Sequence, residues 1–132
     1  MTTEAANIEE KRWKVLIVDD EELIRSFLEM ALEDLDCGIE FAENGSQGFE
    51  KALEFRPDLI ISDVLMPGGT GESLVRRLRE EVTDYRPHVI LISGYSHLTD
   101  EEAENLGVDK LVAKPFQLDQ MIEFIRQVLG LQ

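Results

Sequence analysis

Apolar positions along this chain switch repeatedly between two periods. Trp13-Lys14-Val15-Leu16-Ile17-Val18 is a short apolar run, read as a strand, and Asp19-Asp20 follows it directly. From Glu21 the spacing turns helical, with Ile24, Phe27, Leu28, Ala31 and Leu35 on one face and Cys37-Gly38 as the stop. Ile39-Glu40-Phe41-Ala42 predicts a second strand, and Asn44-Gly45 turns the chain into a helix that carries Phe49, Ala52 and Leu53 inward and stops before Pro57. Residues 58–62 read as a buried third strand ending at Asp63. Pro67, Gly68, Gly69 and Gly71 then forbid regular structure. Leu74, Val75, Leu78 and Val82 mark a third helix, with Arg76, Arg77 and Arg79 mostly on its wet side. Pro87 opens a fourth strand that ends at Ser93-Gly94. Thr99-Asp100-Glu101-Glu102 is a capping box, so a fourth helix starts there and ends near Gly107. Residues 108–112 predict a fifth strand, interrupted by Asp109-Lys110. Leu118, Met121, Ile122, Ile125, Val128 and Leu129 define the last helix.

Five alternations of strand and helix argue for an α/β fold: a doubly wound, five-stranded parallel sheet with five helices covering both faces. Crossovers in such a sheet are right-handed. The flavodoxin-like strand order 2-1-3-4-5 is the most economical arrangement. Strands 1 and 3 are then neighbours, so Asp19, Asp20 and Asp63 meet at the carboxyl edge of the sheet, where ligands of open α/β sheets bind. Ser93 and Lys114 point into the same pocket.

Composition narrows the field. The chain has 132 residues, 43% of them hydrophobic, enough for one domain with a real core. The boundaries expected are a loose polar arm over residues 1–12 and one domain over 13–132. No apolar run is long enough to span a membrane and no signal peptide is evident, which makes the cytoplasm the default. The lone cysteine, Cys37, excludes an internal disulfide or a cysteine metal cluster and reads as a small filler. A formal charge of −15 repels nucleic acid and anionic membranes and suits cation binding. His88 and His97 read as structural or exposed.

Two acids after one strand say little, and a lone Lys-Pro says less. The specific signal is the set: Val18-Asp19-Asp20, Ser62-Asp63-Val64-Leu65-Met66-Pro67 with Gly71 behind it, Ser93-Gly94, and Lys114-Pro115-Phe116. In this set the chain resembles the receiver domain of two-component response regulators, the family of the stand-alone chemotaxis regulator. The resemblance runs from Trp13 to Leu129. Other phosphate chemistries fit less well. Gly68-Gly69-Thr70-Gly71-Glu72-Ser73 lacks the lysine of a phosphate-binding loop, and a dinucleotide pattern from Gly69 would need glycine where Leu74 stands.

The resemblance implies a role for each residue. Asp63 would be the phosphoacceptor, taking a phosphoryl group from the phosphohistidine of a sensor histidine kinase or a histidine phosphotransfer protein. Mg²⁺ would be held by Asp20 and Asp63 directly, by Asp19 through water, and by the carbonyl of Leu65. Lys114 and Ser93 would contact the phosphoryl oxygens, with backbone N–H groups of Leu65 and Gly94 assisting. The chain would be a signalling switch with slow self-catalysed chemistry rather than a metabolic enzyme. Its output would pass to a protein target through helix 4, strand 5 and helix 5, as a monomer or weak homodimer. The alternatives are a non-phosphorylated pseudo-receiver and the receiver part of a longer regulator. Two departures concern function. Leu111 stands where many receivers carry an aromatic switch residue. Leu65 and Tyr95 are expected to flank the path of hydrolytic water and to slow dephosphorylation.

Overall fold

The computed structural model describes residues 13–94 and 98–131. The expected arm over residues 1–12, Tyr95 and His97 lie outside the described residues. In chain order the elements are β1 (Trp13–Val18), α1 (Glu22–Ala31), β2 (Cys37–Ala42), α2 (Gly45–Phe55), β3 (Leu59–Asp63), α3 (Gly71–Glu81), β4 (His88–Ser93), α4 (Asp100–Asn105), β5 (Lys110–Ala113) and α5 (Leu118–Val128). The strands form one parallel sheet in the order β2-β1-β3-β4-β5. Both the class and the strand order match the sequence expectation.

Strand alternation sorts the core into two layers. In β1, Val15 and Ile17 face one side, where Leu28 of α1 and Met121 and Ile125 of α5 complete a cluster. Leu16 and Val18 face the other, against Phe49 and Ala52 of α2 and Leu74, Val75 and Leu78 of α3. All four β1 residues are fully buried, as are Leu59, Ile60 and Ile61 of β3. Central strands covered on both faces read as near-continuous apolar runs, and these do at residues 15–18 and 59–61. The sheet is therefore a rigid platform whose carboxyl edge holds the loops of interest.

Three helices start at side-chain caps. The side chain of Asn44 accepts from Gln47 N–H, Thr70 caps α3 through Ser73 N–H, and Thr99 with Glu102 forms the expected reciprocal capping box. The amino end of α2 abuts the glycine loop after β3: Gly45 N–H donates to Gly69 C=O at 2.9 Å, and a Cβ on Gly45 would lie 2.5 Å from the Thr70 carbonyl oxygen. Only glycine admits that approach.

Four local expectations need correction. Cys37-Gly38 does not end α1: the helix is capped at Leu32, and Cys37 and Gly38 pair with Trp13 and Lys14 as the start of β2. Leu53 is 40% exposed rather than inward, because it sits about 100° around the helix from buried Ala52. Arg79 does not lie on the wet side. Its half-buried guanidinium donates to the carbonyls of Pro87, Leu106 and Gly107, tying α3 to the turn after α4. Strand β5 starts at Lys110, not Val108; Asp109 sits in the turn, and its carboxylate accepts from Val89 N–H at 2.8 Å.

Candidate functional site

The carboxyl edge of the sheet gathers the acids. Asp19 follows β1 and is held to β2 by its N–H donating to Ala42 C=O at 3.0 Å. Asp63 is the last residue of β3, paired in register with Ile92 of β4. Ser93 ends β4, and its carbonyl accepts from Lys114 N–H at 2.9 Å, which brings Lys114 alongside. The sheet order thus unites residues far apart in sequence. Lys114 Nζ donates to Asp63 Oδ2 at 2.9 Å, across 51 residues of chain. The peptide bond between Lys114 and Pro115 is cis.

An open pocket of about 700 Å³ lies at this edge. Asp63, Lys114, Leu65, Gly94 and Glu21 line it, and Ile24, Phe27, Pro115 and Phe116 form an apolar wall. Phe27 and Phe116 meet edge to face, 5.5 Å between ring centres. Asp63 is 6% exposed, whereas the Leu65 side chain beside it is 52% exposed. Leu65 N–H donates to Asp63 Oδ1 at 3.3 Å. The nucleophile candidate is therefore anchored at both oxygens.

Asp19 is fully buried. Its Oδ1 accepts from Glu21 N–H at 2.9 Å, while among the described residues its buried Oδ2 makes no hydrogen bond. A buried carboxylate oxygen without a partner is costly. Burial pushes the Asp19 carboxyl up from 3.8 to about 6; the Glu21 N–H opposes this, the charge of Asp63 adds to it, Lys114 opposes it and Asp20 adds to it. Lys114 moves up as well: burial pulls its ammonium down, but the hydrogen bond and charge of Asp63, then Asp19 and Glu21, outweigh that.

Oxygens of Asp19, Asp20 and Glu21 lie within 4.8 Å of one another. The set of hard oxygen donors, with one buried oxygen unpartnered, fits a small divalent cation such as Mg²⁺. The sequence reading missed Glu21, although it directly follows Asp19-Asp20. Asp20 does not cap α1: Glu21 stands at the N-cap position, with no side-chain cap bond.

The fold is shared with known proteins. A family model, the response regulator receiver domain, matches residues 15–126. The chain belongs to that family. Phosphorylation and Mg²⁺ binding are features of the family. The transcriptional regulatory protein ResD of Bacillus subtilis is 34% identical over 116 residues, covering 88% of this chain and 48% of ResD. Response regulator ArlR of Staphylococcus saprophyticus is 32% identical over 120 residues, covering 90% of this chain and 53% of ArlR. This chain thus spans about half the length of these relatives. Among solved structures, the chemotaxis response regulator CheY4 of Vibrio cholerae superposes with a TM-score of 0.77 at 29% identity, covering 88% of this chain and 98% of CheY4. The receiver domain of AraT from Geobacillus stearothermophilus gives 0.77 at 32% identity, covering 89% of this chain and 93% of that one. No helix among the described residues is long and apolar enough to cross a membrane. The charge argument against nucleic acid concerns these 132 residues alone, since ResD is named a transcriptional regulator.

The raised Asp19 carboxyl carries a signed prediction for the cation-free protein. Below pH 3.8 the group is protonated folded or unfolded, and contributes nothing. Between 3.8 and about 6 the unfolded chain ionises first, so stability falls as pH rises. Above about 6 the full penalty persists. Asp19→Asn keeps the acceptor for Glu21 N–H and removes the charge. In chelator at neutral pH it is expected to be more stable than the wild type, by on the order of 1–2 kcal/mol. The gain should vanish near pH 4. Thermal melts of both proteins across that range check it; a variant less stable at neutral pH would contradict it.

Proposed function

We propose that the chain is a phosphorylation switch in which Asp63 accepts a phosphoryl group from a histidine kinase or a histidine phosphotransfer protein. The observation that carries this reading is the buried Asp63 carboxylate, held at one oxygen by Lys114 and at the other by Leu65 N–H, at the mouth of a pocket beside an acid cluster. An oxygen of Asp63 attacks phosphorus, the phosphorus–nitrogen bond of phosphohistidine breaks, and the imidazole leaves with the electron pair. An acyl phosphate results. Lys114 then pairs with a phosphoryl oxygen as a point charge. The Ser93 hydroxyl and the N–H groups of Leu65 and Gly94 donate to the others. Asp20 and Asp63, Asp19 through water, and the Leu65 carbonyl would hold Mg²⁺, with Glu21 close by. The cation supplies charge neutralisation for the acids and the incoming phosphoryl group.

The donor needs a landing place next to Asp63. The apolar wall of Ile24, Phe27, Pro115 and Phe116 offers one. A helix presenting a phosphohistidine fits such a surface. Signal output runs through α4, β5 and α5 to a protein target. Leu111 packs half-buried against the layer that includes Leu91 and Val89, so readout here relies on apolar repacking rather than on a ring with a polar tip. Incubation with acetyl phosphate and Mg²⁺, read by intact mass, tests the core of the proposal. Stoichiometric addition of one phosphoryl group is expected; none at any Mg²⁺ concentration would refute it in favour of a pseudo-receiver.

The lifetime of the phosphorylated state depends on water reaching phosphorus in line. The exposed Leu65 side chain at the pocket offers bulk and no group to orient water. Slow decay is expected, with Leu65→Asn decaying severalfold faster. Equal decay of the two phosphoproteins in Mg²⁺ would mean that Leu65 does not govern water access.

A further inference from the structure

Arg25 sits where electrostatics disfavours it. It lies near the amino end of α1, whose dipole repels a cation. Asp19, Asp20, Glu21 and Glu22 precede it in sequence, and any of these carboxylates would be an obvious partner. Its side chain takes none of them. Among the described residues the guanidinium makes one hydrogen bond, from Nη1 to the backbone carbonyl of Asp19, at 2.8 Å. Arg25 N–H meanwhile donates to Glu21 C=O at 3.1 Å, the first helical bond of α1. Arg25 therefore grips the turn from β1 into α1 at two carbonyls and leaves its carboxylates unneutralised.

That turn carries three acids whose oxygens crowd within 4.8 Å, so mutual repulsion works to open it. Three contacts resist opening. Asp19 N–H is tied to Ala42, Glu21 N–H to the Asp19 carboxylate, and the Asp19 carbonyl to Arg25. The last uses a charged, half-buried donor, the strong kind of hydrogen bond.

We propose that Arg25 is a positioning residue for the divalent cation: it holds the β1–α1 turn closed through the Asp19 carbonyl, so that the acids stay gathered without being neutralised. The inference rests on the cation site proposed above. It has a sign that distinguishes it from simple charge. If Arg25 acted only as a nearby cation, removing it would tighten Mg²⁺ binding. If it positions the turn, removing it loosens the site and weakens binding.

The experiment titrates Mg²⁺ calorimetrically into wild type, Arg25→Met and Arg25→Lys, with thermal melts in chelator and with Mg²⁺. Arg25→Met keeps the aliphatic stem and loses donor and charge. It is expected to bind Mg²⁺ about tenfold more weakly, the usual scale for a group that orients a metal ligand. Arg25→Lys keeps the charge and a donor and should recover part of the affinity. Phosphorylation of Arg25→Met by acetyl phosphate should need more Mg²⁺ but approach the wild-type rate at saturation. Unchanged or tighter binding by Arg25→Met would overturn the proposal, as would a rate that stays low at saturating Mg²⁺ or a folded Arg25→Lys that recovers nothing. For a variant too unstable to titrate, the Mg²⁺-dependent rise in melting temperature gives the same sign. A wild type that binds no Mg²⁺ would instead strike down the cation site itself.

Discussion

Asp63→Asn is expected to leave the chain folded and to abolish its phosphorylation. Asparagine fills the same space at the end of β3, and its Oδ1 can still accept from Leu65 N–H. What it lacks is the anionic oxygen that the proposed reaction needs for attack on phosphorus. The ion pair with Lys114 is lost as well. That loss is tolerable because the lysine side chain retains 27% of its exposure and can turn toward water or toward Asp19 and Glu21. The expected stability change is about 1 kcal/mol or less, the scale of a partly exposed pair. Labelling by acetyl phosphate should fall below detection. Labelling at the wild-type rate would show that another residue is the acceptor. A side effect carries its own sign. Asp63 helps to push the Asp19 carboxyl up, so Asp63→Asn should let Asp19 ionise at lower pH. Proton titration of the Asp19 carboxyl by NMR reads that directly.

Much of this arrangement was legible in the sequence, for a definite physical reason. Central strands buried on both faces must be apolar runs, so β1, β3 and β4 could be read within a residue of their bounds. Once strand order is fixed, acids written after strands 1 and 3 and a lysine after strand 5 must converge, and Asp63 and Lys114 do. The edges were harder. Strand β2 begins two residues before its apolar run because pairing with Trp13 and Lys14, not side-chain pattern, recruits Cys37 and Gly38. Asp109 reads as an interruption, yet its carboxylate takes a backbone donor of β4. Arg79 and Arg25 mark the limit of periodicity. A pattern reading assigns any arginine to the wet face, but a guanidinium can serve several carbonyls that only the folded chain brings within reach. The apolar wall of the pocket escaped for a related reason. Phe27 was read as core, and a half-buried aromatic looks the same in sequence as a buried one.

Gly71→Ala is expected to damage both the fold and the site, although Gly71 is neither a ligand nor a nucleophile. It is the buried first residue of α3, and its N–H donates to Val64 C=O at 2.9 Å. A Cβ built there would lie 2.3 Å from the carbonyl oxygen of Asp63 and 2.8 Å from Ser62 Oγ. Neither neighbour can easily give way. Ser62 Oγ donates to the same Asp63 carbonyl, and Val64 N–H is tied to Ile92 of β4. The added methyl must therefore push α3 away from the sheet or displace the backbone that carries Asp63. Overpacking of this kind costs about 1–3 kcal/mol. A shift of about 1 Å at a reacting group can slow chemistry by roughly a hundredfold. Both effects are expected together: a lower urea midpoint, and much slower phosphorylation by acetyl phosphate at saturating Mg²⁺. Gly38→Ala is the matched control, because a Cβ there meets nothing within 4 Å. It should keep wild-type phosphorylation and lose no stability. A Gly71→Ala protein as stable and as reactive as Gly38→Ala would show that α3 moves aside freely. The tight seam between α3 and the end of β3 would then have no part in holding Asp63 in place.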